Sequence, residues 1–193
     1  MKKFLSTMTL LGALSGVASA LPYYTAVPAG GELTPYDAQP VYSIDALYTL
    51  GEGDAKELDM WGVRGSFNMY NSGESEFRHQ FNLNISPQWG EAWQVDFMAL
   101  PLTAGYDLNI EMSDKVLFYM GAKAGYAWWH ADAPWGDKNV GGFTWSVGAG
   151  LKFQCSDDVY VRAGYEFGRT YLGGAIDDIY GGHTIMLGVG VTF

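Results

Sequence analysis

The sequence predicts an all-β fold, an eight-stranded antiparallel up-and-down transmembrane β-barrel, and three observations support this prediction. The final segment, 183–193, alternates apolar residues with small or polar ones, as successive side chains do along a strand. Similar alternating segments recur from Val41 onward, separated by turn residues. The 193-residue chain is 48% hydrophobic and has 26 glycines, yet nowhere does it contain the apolar run of roughly 18 residues that indicates a membrane-spanning helix.

The first 20 residues have the pattern of a secretory signal peptide. Two lysines precede a short apolar stretch, and the segment ends on the small-residue motif Ala-Ser-Ala. We therefore expect export and cleavage after Ala20, and together with the predicted barrel this indicates a location in the bacterial outer membrane. Residues 21–39 contain three prolines and a Gly-Gly pair, which predicts an N-terminal arm rather than a strand. The barrel is then expected over residues 40–193.

Charge and cysteine content exclude several classes of function. The formal net charge is −10, which argues against nucleic acid as a partner. Cys155 is the only cysteine, so an intrachain disulfide is impossible. The sequence contains no nucleotide fingerprint, phosphate loop or cluster of thiol ligands. We therefore expect no cofactor, no metal site and a monomer.

Alternation and turn residues together define eight predicted strands. They lie at roughly 41–50, 58–70, 76–86, 94–111, 115–129, 142–154, 159–171 and 183–193. Pro101 interrupts the fourth segment, and because a proline within a strand often marks a bulge, we expect one there. The connections 51–57, 87–93, 131–140 and 173–181 are mostly longer than those between them. In outer-membrane barrels long loops are extracellular and short turns periplasmic, so both termini should be periplasmic.

Tryptophan placement agrees with this orientation, because all seven tryptophans fall near the predicted extracellular loops. Aromatic rings collect at the headgroup level of membranes, where one edge is apolar and the other can hydrogen-bond. The predicted outer aromatic girdle consists of Trp61, Trp93, Trp128 and Trp145.

Charged residues on the predicted inward faces should form a network inside the barrel. Its expected members are Asp45, Arg64, Arg78, Asp107, Glu111, Lys123, Lys152, Arg162 and Glu166. Eight strands leave an interior just wide enough for side chains, so we expect paired ions in a filled, polar lumen. The near balance of signs argues against an ion-selective channel. Adjacent-strand positions favour a pair between Asp45 and Arg64, and they place Arg78 near Asp107 or Glu111.

Several segments resemble those of the small eight-stranded outer-membrane barrels, namely the OmpA-type transmembrane domain, OmpX-like and opacity-type proteins and the broader porin-like group. The segments are 99–108, 119–126, 145–153, 159–167 and the terminal L-G-V-G-V-T-F. In that family the terminal strand carries a signal for the barrel assembly machinery. The resemblance implies this role for Gly188, Val191 and Phe193, with Met186 departing from the usual polar residue. It also implies outer-membrane lipid and lipopolysaccharide as partners.

Function is less constrained than fold, because this fold serves many activities. We expect a non-enzymatic role in envelope integrity and adhesion-like surface interaction, with a host or surface ligand at the loops. A small passive channel is the main alternative. A lipid A-modifying enzyme would need a base beside a nucleophile, but His79, His130 and His183 form no such motif, and we predict no catalytic residue. A soluble lipocalin-like barrel would need an apolar interior and a polar exterior.

Overall fold

A computed structural model describes residues 41–53, 56–72, 77–156, 158–173 and 179–192. The strands are β1 (Val41–Glu52), β2 (Met60–Ser72), β3 (Phe77–Ile85), β4 (Gln88–Ala92), β5 (Val95–Ser113), β6 (Val116–Asp132), β7 (Lys138–Gln154), β8 (Val159–Leu172) and β9 (Ile179–Thr192). The predicted signal peptide, the arm over 21–39 and Phe193 lie outside the described residues. Within those ranges no helix is long and apolar enough to span a membrane.

The nine strands form a closed antiparallel ring with eight members. β3 and β4 occupy the same position in the ring, because both pair with β2 on one side and with β5 on the other. β1 closes the ring by pairing with both β2 and β9. The predicted fold class, an eight-stranded antiparallel barrel, is therefore confirmed.

The register of the ring fixes the tilt of the strands. Following paired residues from Val41 through every member returns to β1 at Gly51, which is ten residues further along (51 minus 41). A stagger of this kind requires strands that are tilted against the barrel axis. Tilt lets inward side chains from non-adjacent strands meet at one level, and this arrangement determines the ion pairs described below.

Two prolines explain why the third member is split into β3 and β4. The Pro87 carbonyl accepts a hydrogen bond from the Val63 amide at 3.1 Å, and the Pro101 carbonyl accepts one from the Ser86 amide at 3.0 Å. In antiparallel strands, hydrogen-bonded residues normally exchange two such bonds. Proline has no N–H to return, so the ladder loses one bond on each side of this member.

The strand register passes these prolines without a shift. Ile85 pairs with Leu102 before the interruption and Gln88 pairs with Ala99 after it, so three residues on one strand match three on the other. Pro101 also pairs regularly with Ala127 on β6. The predicted bulge at Pro101 is therefore wrong, because the proline removes a donor without inserting an extra residue.

The barrel has two ends, which we name by their residues. Val41 and Thr192 lie at the terminal end, whereas the turn at 93–94, the connection 133–137 and the strand ends at Glu52 and Leu172 lie at the opposite loop end. The prediction of a long loop over 87–93 is wrong, because β4 occupies most of that segment. Trp93 and Gln94 alone turn the chain, with φ angles of 52° and 64°, as a two-residue type I′ hairpin requires. The predicted loop over 131–140 is likewise shorter, because β6 and β7 extend into it.

The two faces of the wall differ sharply in exposure and chemistry. Leu187 is 60% exposed on the outside, whereas its neighbour Met186 is 1% exposed on the inside. Most of the large apolar side chains that are exposed point outward from the strands, whereas the buried polar side chains point into the lumen. This arrangement is the reverse of a soluble lipocalin-like barrel, and it excludes that alternative.

Candidate functional site

The barrel interior gathers most of the charged residues that the sequence placed there. Seven of the nine are buried, namely Asp45, Arg64, Asp107, Lys123, Lys152, Arg162 and Glu166. The other two, Arg78 and Glu111, lie closer to the terminal end, with side chains 19% and 37% exposed. The buried set comprises four cations and three carboxylates.

A triad of Arg64, Lys123 and Glu166 lies in the middle of the lumen. The Arg64 guanidinium donates to both Glu166 oxygens, at 2.8 and 2.7 Å, and the Lys123 ammonium also donates to Glu166. Arg64 Nε donates to the Ser86 hydroxyl at 3.1 Å. The three charges come from β2, β6 and β8, so the triad ties together members of the ring that do not pair. Gly148 on β7 leaves space for it, because an added Cβ would lie 2.5 Å from Glu166 Cγ.

A second buried pair joins Asp45 on β1 to Arg162 on β8. The Arg162 guanidinium donates to both carboxylate oxygens of Asp45. Gly188 on β9 lies between them and pairs with each in the strand register. A Cβ at Gly188 would lie 1.9 Å from Asp45 Oδ1, so the absence of a side chain there makes room for the ion pair.

The predicted pair between Asp45 and Arg64 is wrong, although the two residues are register partners on β1 and β2. Arg64 instead reaches across the lumen to Glu166, and Asp45 reaches past Gly188 to Arg162. Arg78 contacts Glu111 at 3.1 Å, one of the two carboxylates expected for it.

The remaining interior charges are held by neutral groups. The Lys152 ammonium donates to Gln80 Oε1 at 2.8 Å and to Asn109 Oδ1 at 2.6 Å. It also lies 5.1 Å from the Tyr119 ring centre, within cation–π range. Asp107 accepts a hydrogen bond from Asn82 at 3.1 Å.

An apolar cluster lies in the lumen between this network and the loop end. Its buried members are Leu58, Met60, Ala92, Ala99, Ala127 and Trp129, with Phe97, Val140, Leu172 and Tyr180 packed against them. The Trp129 and Tyr180 rings lie 4.6 Å apart. The lumen therefore contains an apolar layer, which the expectation of a filled, polar lumen did not include. The alternation of side chains places Met60 and Trp129 on the inward faces of their strands, and this was the sequence signal for the cluster.

The predicted girdle and assembly residues have the following positions. Trp61, Trp93 and Trp128 are exposed near the loop end, and Trp145 is half-buried with its ring 6.1 Å from that of Phe167. Gly188 and Val191 lie on β9, which pairs with β1 and β8. The girdle and assembly roles themselves stay predictions, and Phe193 is outside the described residues.

The three histidines lie apart from one another, each bonded to a side chain on a neighbouring strand. His79 bonds the Tyr106 hydroxyl, His183 bonds the Tyr165 hydroxyl, and His130 Nδ1 lies 2.9 Å from Asn139 Oδ1. In the part of the chain that the structure describes, no group of three or more His, Cys, Asp or Glu side chains is arranged to hold a metal ion.

A closed ring of strands with an apolar exterior and a charged, filled interior defines a membrane-spanning β-barrel protein. The sequence supports a specific assignment within that class. The chain belongs to the outer membrane protein beta-barrel domain family, whose model matches residues 9–193. The protein is therefore one of the bacterial outer membrane.

Solved structures of outer-membrane barrels share this fold. Neisserial surface protein A is 19% identical with a TM-score of 0.65, over 80% of this chain and 97% of that one. The attachment invasion locus protein Ail of Yersinia pestis is 18% identical with a TM-score of 0.56, over 80% and 98%. The outer membrane enzyme PagL is 12% identical with a TM-score of 0.59, over 76% and 97%. No curated protein matches the chain in sequence.

Proposed function

We propose that this protein is a non-conducting, non-enzymatic barrel that supports the integrity of the outer membrane and presents its loop end for contacts outside the cell. The observation that carries the proposal is that two successive layers of side chains occupy the lumen, and we infer that each layer closes it. The triad of Arg64, Lys123 and Glu166 occupies the middle of the barrel, and the apolar cluster around Trp129 lies between the triad and the loop end.

Each closure opposes ion passage for a different reason. Opening the triad would separate a buried carboxylate from two cations, which is strongly unfavourable away from water. An ion that passed the triad would then meet an apolar constriction, where shedding its hydration shell is costly. A passive channel is the main alternative from the sequence. It would require the triad and the apolar cluster to open at the same time.

Conductance across a planar bilayer tests this proposal directly. We expect the full-length mature protein to give no stable single-channel steps, and reproducible steps would contradict the non-conducting role. A deletion strain tests the envelope role, because loss of the barrel should increase sensitivity to detergent and to large antibiotics. Expression of the wild-type protein should reverse that sensitivity, and unchanged sensitivity after deletion would contradict the role in envelope integrity.

Exposed aromatics and carboxylates at the loop end support the role in surface contact. Trp135 in the 133–137 connection is 75% exposed and Trp93 at the hairpin turn is 54% exposed. Exposed tryptophans are frequent anchors of protein interfaces. Carboxylates lie nearby at Asp59, Asp132 and Asp137, so we propose a partner surface with a positive charge.

Binding of the barrel in lipid nanodiscs to immobilised basic and acidic polypeptides tests this contact. We expect retention on the basic polypeptide, lower at high salt, and weaker retention of Trp135→Ser. The matched control is Trp128→Phe, which changes a tryptophan on the outer wall rather than in a loop-end connection. Equal retention on both polypeptides, or a Trp135→Ser variant that binds like the wild type, would contradict the proposal.

The histidine geometry supports a non-enzymatic role. Each of the three histidines bonds a tyrosine or asparagine side chain, rather than the serine or carboxylate of an acyl-transfer site. Incubation of the purified barrel with lipid A, followed by mass spectrometry, should leave every acyl chain in place. Loss or transfer of an acyl chain would contradict this part of the proposal.

The predicted partners remain part of the same proposal. Outer-membrane lipid and lipopolysaccharide should contact the exposed apolar wall, which includes Leu187 and Val189. The barrel assembly machinery should recognise the terminal strand, and the signal peptide should be removed after Ala20.

A further inference from the structure

A cavity of about 80 Å³ lies inside the barrel between the triad and the apolar cluster. Arg64, Lys123 and Glu166 line it on the side of the triad, and Trp129 and Tyr180 line it on the side of the cluster. Its remaining walls include the polar residues Gln88 and Arg169 and the hydroxyl-bearing residues Thr49, Ser86, Thr144, Ser146, Thr170 and Thr184. Neither the charge network nor the closure of the lumen explains why such a polar space is retained.

Trp129, which lines this cavity, carries a buried hydrogen-bond donor without a partner among the described residues. The Trp129 side chain is 7% exposed, and among the described residues its indole Nε1 has no hydrogen-bond partner. The buried Tyr180 hydroxyl likewise has none within the described ranges. Indole N–H can only donate, and a donor left unpaired in a protein interior is costly. The cavity therefore favours an occupant that accepts hydrogen bonds.

The charge of the cavity lining points to the sign of that occupant. Among the lining residues, Arg64 and Lys123 contribute two positive charges and Glu166 one negative charge. The third cation of the lining, Arg169, lies 3.9 Å from the carboxylate of Glu52, so an excess of one positive charge remains. The Lys123 ammonium has three N–H donors, and Glu166 accepts one of them. The same excess holds for all the buried ionised side chains, four cations against three carboxylates.

We propose that this cavity binds a small monovalent inorganic anion of about the size of chloride. The anion accepts hydrogen bonds from Trp129 Nε1 and from the hydroxyls of Ser86 and Ser146, which line the cavity, and it balances the excess positive charge of the triad. A cavity needs roughly 10–15 Å³ of volume open to a water-sized sphere for each water that it holds. The space of about 80 Å³ therefore holds such an anion together with a few waters, but it excludes large organic anions.

Thermal unfolding in detergent, with chloride replacing gluconate at constant ionic strength and pH, tests the proposal. A ligand that binds the folded state raises the unfolding midpoint, so we expect chloride to raise it by about 2–4 °C at about five times the dissociation constant. Trp129→Phe keeps an aromatic ring in the apolar cluster but removes the donor, and it should lose at least half of this response. The control Trp128→Phe changes the adjacent tryptophan, which is 50% exposed outside the barrel, and it should keep the full response. No chloride response in the wild type, or an equal response in Trp129→Phe, would overturn the proposal.

A second measurement does not depend on any variant folding. Crystals of the wild-type barrel soaked in sodium bromide should show an anomalous peak within hydrogen-bond distance of Trp129 Nε1. Absence of bromide from the cavity at a concentration that places it at other sites on the protein would overturn the proposal.

Discussion

Replacing Glu166 with glutamine tests the central energetic feature of this barrel. In the wild type Glu166 accepts hydrogen bonds from Arg64 and Lys123, and its side chain is 5% exposed. Glu166→Gln leaves both cations buried without a carboxylate. Breaking a buried ion pair from one side typically costs 3–5 kcal/mol, and because two cations lose their partner, we expect a loss of about 4 kcal/mol in the free energy of unfolding.

Glu111→Gln is the matched control, because it makes the same chemical change in an ion pair near the terminal end. Arg78 and Glu111 are 19% and 37% exposed, and partly solvated pairs are worth about 1 kcal/mol or less. Urea unfolding in phospholipid vesicles, followed by tryptophan fluorescence, should therefore separate the two variants by about 3 kcal/mol. A difference below about 1 kcal/mol would refute the argument that burial makes the triad important.

Three further predictions concern an ion pair, the packing beside a glycine and the geometry of a turn. Arg78→Leu should lower slightly the temperature at which the barrel loses its heat-modified gel mobility, and no shift would contradict the contact with Glu111. Gly188→Ala should lower the free energy of unfolding by about 2 kcal/mol or more, because the new Cβ displaces Asp45. The measurement is urea unfolding of barrel that was refolded without any assembly machinery. A variant that unfolds at the same urea concentration as the wild type would show that the packing argument fails. Gln94→Gly should stabilise the barrel by up to about 1 kcal/mol, because φ is 64° at this position. The check is the midpoint of urea unfolding, and a lower midpoint would count against the turn assignment.

The alternation of side chains made the wall of the barrel predictable. A period of two assigns each residue to one face without knowledge of any distant contact. The sequence therefore correctly placed Ile185 and Leu187 outside and Arg162 and Glu166 inside. The same reasoning failed at residues 87–93, because a proline at the start of a segment reads as a loop even when the strand register continues through it.

Inward orientation alone could not identify the partners of the interior charges. Asp45 and Arg64 are neighbours in the register, which predicts that they pair, but each bonds a residue on β8. Strand tilt brings side chains from non-adjacent strands to the same level, and Gly188 opens the path from Asp45 to Arg162. Neither the stagger of the ring nor the space beside a glycine can be read from local sequence.

The sequence by itself determined the class of fold and the face of most strand residues, because both depend on local periodicity, and its match to the family model indicates the bacterial outer membrane. Tertiary structure decided which charges pair, that an apolar cluster around Trp129 lies near the loop end of the lumen, and that a polar cavity lies between this cluster and the triad. Those features are formed by side chains that reach the lumen from several members of the ring. Their geometry depends on register and tilt summed around the whole barrel, and no single segment encodes that sum.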